Sequence, residues 1–239
     1  LKELLFEIIA EINLNILKTT EYNQIPIVIT KELVKTKYLK DKHSVHELTI
    51  HPSPAIGIMN GLWANSAGKG GIIPIQSCFF PSNSTFELKL TGMQGDVMKE
   101  SMNVALTLAW QLTSQEKKDK YMAHKLGIHI HCPDGATPKD GPSAGACITT
   151  TIYSLLNDLP IRNTCAITGE INLQGNVTMI GGLQLKILGA IKAGAKEVLY
   201  PDENQMDFDK FIEKYENVAS GITFHRVKTI QDVFRILFS

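Results

Sequence analysis

The spacing of hydrophobic positions changes several times along the chain. In residues 1–18, LKELLFEIIAEINLNILK, Leu5, Ile8, Ile9, Ile12 and Ile16 recur at helical intervals and predict an amphipathic helix. IPIVI at 25–29 is a short apolar run of strand type. Thr30 then stands where it can cap a helix through KELVKTKYL. The polar stretch DKHSVHE, 41–47, marks a boundary, and residues 1–40 read as part of a neighbouring α-rich module. From about residue 48 the texture becomes strand-like, with runs at 55–63, 72–80 and 85–91 separated by SAGKGG and PSNS turns. Helical periodicity returns over 96–113, with Val97, Ser101, Val104, Ala105, Leu108 and Leu112 on one side. A strand in GIHIHCP and a helix over 143–156 follow. TCAITGEINLQGNVTMI reads as a hairpin turning at Gln174-Gly175-Asn176. The remainder alternates: helix 182–195, strand 196–201, helix 203–214, strand 221–227, helix 229–238. Hairpins first and αβ alternation later predict a mixed α/β (α+β) domain over 48–239.

Composition narrows the function classes. Lys+Arg and Asp+Glu each total 24, so no global basic field favours nucleic acid or an anionic membrane. An apolar fraction of 44% is ordinary for a globular protein, and no apolar run is long enough to span a bilayer. Cys78, Cys132, Cys147 and Cys165 form no CxxC pair, which favours a reduced compartment, cytoplasmic or mitochondrial matrix. The chain opens on Leu-Lys-Glu with no initiator Met and no signal-peptide pattern, which is expected of a piece cut from a longer protein.

Several stretches carry candidate chemistry. SAGKGG at 66–71 resembles part of a phosphate loop, but Trp63 and Gly70 occupy the places where that loop needs a Gly and a Ser or Thr; a hairpin turn is expected instead. His129 and His131 alternate on one strand face and have the geometry for two metal ligands, with no third at a recognisable spacing, so no metal is expected. Ser143, between Pro142 and Ala144-Gly145, is either a helix N-cap or a nucleophile. Asp140-Gly141-Pro142 impose a tight approach to it, and amides at a helix start can stabilise an oxyanion. A nucleophilic serine needs a base. A Ser143–His131–Asp140 triad is one arrangement. Lys186 is another candidate: Gly182, Leu183, Gly189 and Ala190 surround it on a helix, and no acidic residue occurs from Ile171 to Lys196. Apolar surroundings would lower its pKa towards neutrality. Lys192 and Lys196 also lack local acids, so periodicity alone does not select Lys186.

ATPKDGPSAG at 136–145, TGEINLQGNVTMIGGLQLK at 168–186 and AGAKEVLYPDEN at 193–204 closely resemble the proteolytic domain of A-type Lon proteases. That resemblance implies an S5-domain-2-like fold over about 48–239, preceded at 1–40 by the end of an AAA+ small domain. It implies a serine endopeptidase with a Ser–Lys dyad. The serine falls on Ser143, the lysine on Lys186 and the threonine that helps hold the lysine on Thr168. Asp140 and Gly141 fall in the supporting loop. No cofactor is implied within this chain; ATP and Mg belong to the AAA+ module that would lie upstream. Unfolded polypeptides are the implied substrates, a hexameric ring the implied assembly, and no membrane is involved. The sequence departs from the family pattern at Trp63-Ala64, Gln76 and Gln184-Leu185. Two other readings stand beside this one: a non-proteolytic domain of the same fold whose Ser143 loop cradles phosphate, as in small-molecule kinases, and a catalytically silent assembly domain.

Overall fold

The computed structural model describes residues 2–18, 27–40, 48–133 and 140–238. The chain divides into two compact units, 1–46 and 47–239.

In the first unit, α1 spans Lys2–Lys18 and buries Ile8, while Leu5, Ile9 and Ile16 stay exposed. Thr30 caps the next helix as expected, its Oγ1 accepting from Leu33 N at 3.1 Å. That helix differs from expectation. A single α-turn, α2 (Lys31–Leu33), widens into a π-helix over Val34–Tyr38, closed by Leu39 N donating to Val34 O at 3.0 Å. The strand expected at 25–29 is absent from its described part, 27–29, where Val28 is 72% exposed. The boundary expected at 41–47 lies outside the described residues.

The second unit is built on a seven-stranded sheet in the order β3-β4-β2-β1-β5-β8-β9. β1 (Ile58–Ala64) and β2 (Gly70–Pro81) form the antiparallel hairpin expected around SAGKGG. Asn65 Oδ1 ties that turn by accepting from Ala67 N and Lys69 N at 3.1 and 3.0 Å. β4 (Leu126–His131) pairs antiparallel with β2 and parallel with β3 (Leu88–Thr91). On the other side, β5 (Cys165–Ile167), β8 (Glu197–Pro201) and β9 (Thr223–Val227) run parallel in turn from β1. The segment read as one hairpin over 164–180 divides: β5 enters the main sheet, and only β6 (Glu170–Ile171) and β7 (Val177–Thr178) pair as a separate antiparallel ribbon.

Two apolar cores cover the two faces of this sheet, as strand alternation requires. Along β8, Leu199 joins the first core while Val198 and Tyr200 join the second. The first core takes α3 (Asp96–Leu112), α5 (Gly145–Asn157) and α8 (Ile230–Leu237); the second takes α6 (Leu183–Lys192) and α7 (Gln205–Ala219). In α3 the buried stripe is Met98, Ser101, Met102, Ala105, Leu108 and Ala109, rotated from the expected one, so that Val97 is 45% exposed. Small Ala105 and Ala109 let α5 pack closely against it. Helix α4 (Gln115–Met122) carries no apolar stripe and was not expected; only Tyr121 is buried, its hydroxyl donating to Leu156 O at 3.0 Å.

Glycines set how near α6 comes to the β1–β2 hairpin. A Cβ on Gly189 would run into the backbone of Gly70 and Gly71, and one on Gly70 into the Leu185 carbonyl. We expect Gly189→Ala to destabilise the fold by about 1–3 kcal/mol in denaturant unfolding, the cost of overpacking against backbone. An exposed helical glycine would give the opposite sign, a gain of about 1 kcal/mol.

Candidate active site

β5 is where the chain changes faces. The helix before it, α5, lies in the first core and the helix after it, α6, in the second. Such a switch leaves a crevice at the carboxyl end of the strand, a common place for reacting groups in α/β sheets. Thr168 sits there, directly after Ile167, with no exposed surface. The segment is fastened to the serine loop by backbone: Gly169 N donates to Ser143 O at 2.9 Å, and Ala146 N donates to Gly169 O at 3.0 Å.

Lys186 reaches this strand end from α6. It is 4% exposed, and its neighbours Leu183, Ile187 and Ala190 are buried in the second core. Burial pushes its pKa down to about 8, because the apolar surroundings penalise the ammonium. Nζ donates to Thr168 Oγ1 at 3.2 Å, and Thr168 Oγ1 donates to Ser143 O at 3.3 Å. A hydroxyl has one proton to give. With that proton on the Ser143 carbonyl, Thr168 meets the lysine as an acceptor, so a neutral amine keeps its lone pair free for another partner. Of Lys186, Lys192 and Lys196, only Lys186 is buried.

Ser143 lies in a 3₁₀ turn, Pro142–Ala144, that leads into α5. Its hydroxyl caps neither the turn nor the helix and has no hydrogen-bond partner among the described residues. The cap reading therefore fails at its own criterion. Two amides beyond Ser143 are already engaged, Gly145 N with Pro142 O and Ala146 N with Gly169 O, which disfavours a phosphate cradle there. No hydrogen bond joins Ser143 Oγ to Lys186 Nζ.

Asp140 holds the approach to this turn. Its Oδ1 accepts from Met98 N and from Gly141 N, both at 3.0 Å. Met98 is three residues past Gly95, the cap position of α3, and glycine supplies no side chain to cap it. Asp140 does so from a distance in sequence, and a Cβ on Gly95 would collide with its carboxylate. Gly141 follows at φ 126°, a conformation that favours glycine. The His-based triad is not assembled. His131 Nδ1 and His129 Nε2 both bond Thr91 Oγ1, at 2.8 and 2.9 Å, and no hydrogen bond links His131 to Asp140. His129 is further held towards the neutral form by burial, by Lys89 and by His131. Among the described residues no group of three His, Cys, Asp or Glu could hold a metal ion.

Comparison with known proteins decides the family. The model of the Lon protease (S16) C-terminal proteolytic domain matches residues 28–239. The chain is 38% identical over 221 residues to a Lon protease of Fusobacterium nucleatum, covering 92% of this chain and 27% of that protein. It is 45% identical over 217 residues to a Lon protease homolog of Acanthamoeba polyphaga mimivirus, covering 86% and 21%. A Lon protease of Chlamydia muridarum is 34% identical over 242 residues, covering 100% and 29%. The chain belongs to the Lon proteolytic-domain family. It spans about a quarter of the length of the first relatives it matches.

The departures from the Lon pattern have structural settings of their own. Trp63 pairs with Gly71 across the β1–β2 hairpin and donates from Nε1 to Ile72 O at 3.2 Å. Its indole fills the place a Cβ on Gly71 would need. Gln76 pairs with His131 in the β2–β4 ladder. Gln184 Nε2 donates to Tyr215 OH at 3.1 Å, which ties α6 to α7. Sequence reasoning missed the Gly95–Asp140 junction, whose signal was a helix start with glycine in place of a capping side chain. The compartment reading stays coarse: no helix of the described residues is long and apolar enough to cross a membrane.

The buried amine has a thermodynamic signature. Its folded-state pKa of about 8 lies below the ordinary 10.5, so between those values the unfolded chain binds more protons and stability rises with pH. Below pH 8 the full cost of burying an ammonium applies, about 3 kcal/mol as an upper bound. We expect Lys186→Met to stabilise the fold at pH 7 by about 1–3 kcal/mol, with the gain shrinking towards pH 10. Denaturant unfolding across that range checks it; a destabilised variant would mean the fold needs the amine.

Proposed function

We propose that this Lon-type domain cleaves peptide bonds with Ser143 as nucleophile and Lys186 as general base. The observation that carries this reading is the buried amine of Lys186, its pKa lowered to about 8 and its Nζ bonded through Thr168 to the serine turn. Ser143 Oγ attacks the scissile carbonyl while Lys186 takes the hydroxyl proton, giving a tetrahedral oxyanion. Collapse breaks the C–N bond, Lys186 returns the proton to the leaving amine, and an acyl-serine remains. Water, deprotonated by the same amine, then releases the carboxylate product and restores Ser143. Thr168 fixes the direction of the amine, and Asp140 and Gly141 shape the turn that carries the nucleophile. Catalytic hydrogen bonds are often unmade before substrate binds, so a resting Ser143 without a Lys186 bond is compatible with this role.

We further read residues 1–40 as the end of an AAA+ small domain whose ATPase, with ATP and Mg, belongs to a longer protein. Nothing in the SAGKGG turn suits nucleotide, since Asn65 already occupies two of its amides. Unfolded polypeptides as substrates, a hexameric ring and a reduced compartment belong to the same proposal. Among the described residues Cys147 and Cys165 are buried thiols and Cys78 an exposed one, as suits reducing surroundings.

Peptide hydrolysis by Ser143→Ala, Lys186→Arg and Lys186→Ala across pH tests the dyad. Ser143→Ala should abolish turnover. Lys186→Arg should fail as badly as Lys186→Ala, because a guanidinium does not deprotonate in a protein. Wild-type turnover should rise with pH around a midpoint near 8. Thr168→Val should lower turnover by less than loss of either dyad member. Substantial activity in the Arg variant would exclude lysine as base.

Two further outcomes separate this reading from its rivals. Replacing His129 and His131 together by Gln should keep kcat/KM within about tenfold, less than 1.4 kcal/mol in barrier. The chain alone should digest loose substrates such as casein and leave a stable folded protein intact, for want of an unfolding motor.

A further inference from the structure

Thr91 stands at the end of β3 and bonds two imidazoles of β4. His129 Nε2 and His131 Nδ1 lie 2.9 and 2.8 Å from its Oγ1. With both rings neutral the arrangement is complete: one ring nitrogen donates to Oγ1, and Oγ1 donates its single proton to the lone pair of the other. A proton on each ring spoils it. Both facing nitrogens become donors, the Thr91 proton loses its acceptor, and two like charges flank one oxygen.

The neighbouring strands do not compensate that charge. Cys78 and Gln76 of β2 stand opposite His129 and His131, and Lys89 of β3 stands opposite His129. None of these is a carboxylate, and Lys89 is a like charge. Burial, Lys89 and His131 together hold His129 towards the neutral form.

Thr91 also begins the turn that leads to the serine loop. Its carbonyl accepts from Cys132 N at 3.0 Å and from the Gln94 side-chain amide, which is buried. Gly92 and Met93 follow at φ 107° and 55°, the second a costly conformation for a residue with a side chain. Gly95 is packed so near Asp140 that a Cβ would meet its carboxylate. Asp140 in turn bonds Met98 N and leads through Gly141 and Pro142 to Ser143. Residues 91–95 thus join the imidazole pair to the anchor of the serine turn. A strained turn keeps its conformation only while its ends are held.

We propose that the His129–Thr91–His131 bridge is a pH-sensitive latch on the loop that carries Ser143. Charging the second imidazole releases Thr91, the strained turn relaxes, and Asp140 loses its fixed seat on α3. Thr91 is a positioning residue in this arrangement, and neither imidazole takes part in the chemistry. Linkage gives the sign. Rings that the fold holds neutral take up protons more readily once released, so acid favours the open latch. It holds at neutral pH and opens as pH falls below the ordinary imidazole value of about 6.5. Its catalytic consequence rests on Ser143 as nucleophile; its structural consequence does not.

Two measurements on the whole chain test it, each with wild type, with His129 and His131 both replaced by Gln, with Thr91→Val and with Thr91→Ser. The first is hydrogen exchange of the Met98 amide, the donor to Asp140, expressed as protection relative to a free amide at the same pH. Wild-type protection should fall about three- to tenfold from about pH 7.5 to about pH 5, the extent expected of one proton taken up below about 6.5. The double Gln variant should show no such fall. Thr91→Val should be poorly protected at both pH values, and Thr91→Ser, which keeps the hydroxyl, should behave as wild type. The second measurement is kcat/KM for a short peptide without titrating side chains. Wild type should lose about tenfold per pH unit below about pH 8, as Lys186 takes up its proton, and fall more steeply below about pH 6.5. The double Gln variant should continue on the single-proton line. Equal Met98 protection at both pH values in wild type overturns the latch. So does an undiminished fall in the double Gln variant, or a wild-type rate that follows the single-proton line down to about pH 5. Absence of Ser143-dependent hydrolysis overturns the dyad, and the exchange of Met98 still decides the latch.

Discussion

Desolvation of a single amine is the constraint around which this site is arranged. Lys186 titrates near 8 only because nothing nearby stabilises its charge. Any carboxylate within a few ångström would favour the ammonium and lift the pKa back towards its ordinary value. The sequence keeps acids out from Ile171 to Lys196, and the fold puts the amine against Leu183, Ile187 and the rest of the second core. The close seam between α6 and the β1–β2 hairpin serves the same end. Gly70, Gly71 and Gly189 let backbone approach backbone there, so that α6 lies close against the hairpin. Stability is given up for this, since a buried lysine is a poor way to fill a core.

The choice of Thr168 as partner follows from the same constraint. A partner was needed to aim the amine, and a charged one would have defeated the purpose. A hydroxyl orients without charging. Because its proton goes to Ser143 O, it links Lys186 to the serine turn while leaving the lone pair of a neutral amine unused. Its position is equally determined by topology. Thr168 follows the last residue of β5, a strand flanked by helices on opposite faces, so it is placed where α5 and α6 can both reach it.

Much of this was legible in the sequence, and the remainder was hidden for identifiable reasons. Elements with a strong period were read nearly at their bounds: α1, the β1–β2 hairpin, α6, β8, β9 and α8. α4 was invisible because its eight residues bury only Tyr121 and so carry no pattern. The stripe on α3 was misplaced because Met98 and Met102 were left out of the apolar count in favour of Val97 and Val104. The strand expected at 25–29 had the right residues, but its described part, 27–29, pairs with no strand among the described residues, and pairing is a property of the fold rather than of a segment. At the site, local periodicity left Lys186 level with Lys192 and Lys196; burial is what separates them. Ser143 was ambiguous between cap and nucleophile; the structure leaves its hydroxyl unbonded, which removes the cap. The Asp140–Met98 bond joins residues 42 apart, beyond the reach of any spacing rule.

That long-range bond also explains how a loop can carry chemistry without a regular element of its own. The serine turn is pinned on both sides by groups distant in sequence. Asp140 is anchored to the start of α3, and Ser143 O is held by Gly169 N. Between these anchors, Gly141 at φ 126° and Pro142 admit few backbone conformations. The unbonded hydroxyl of Ser143 therefore sits on a rigid mount and is free to turn about its own side-chain bond. Rigidity in the mount and freedom in the hydroxyl are complementary in the proposed reaction: the first would supply position, and the second would let the same oxygen serve as nucleophile and later as leaving group.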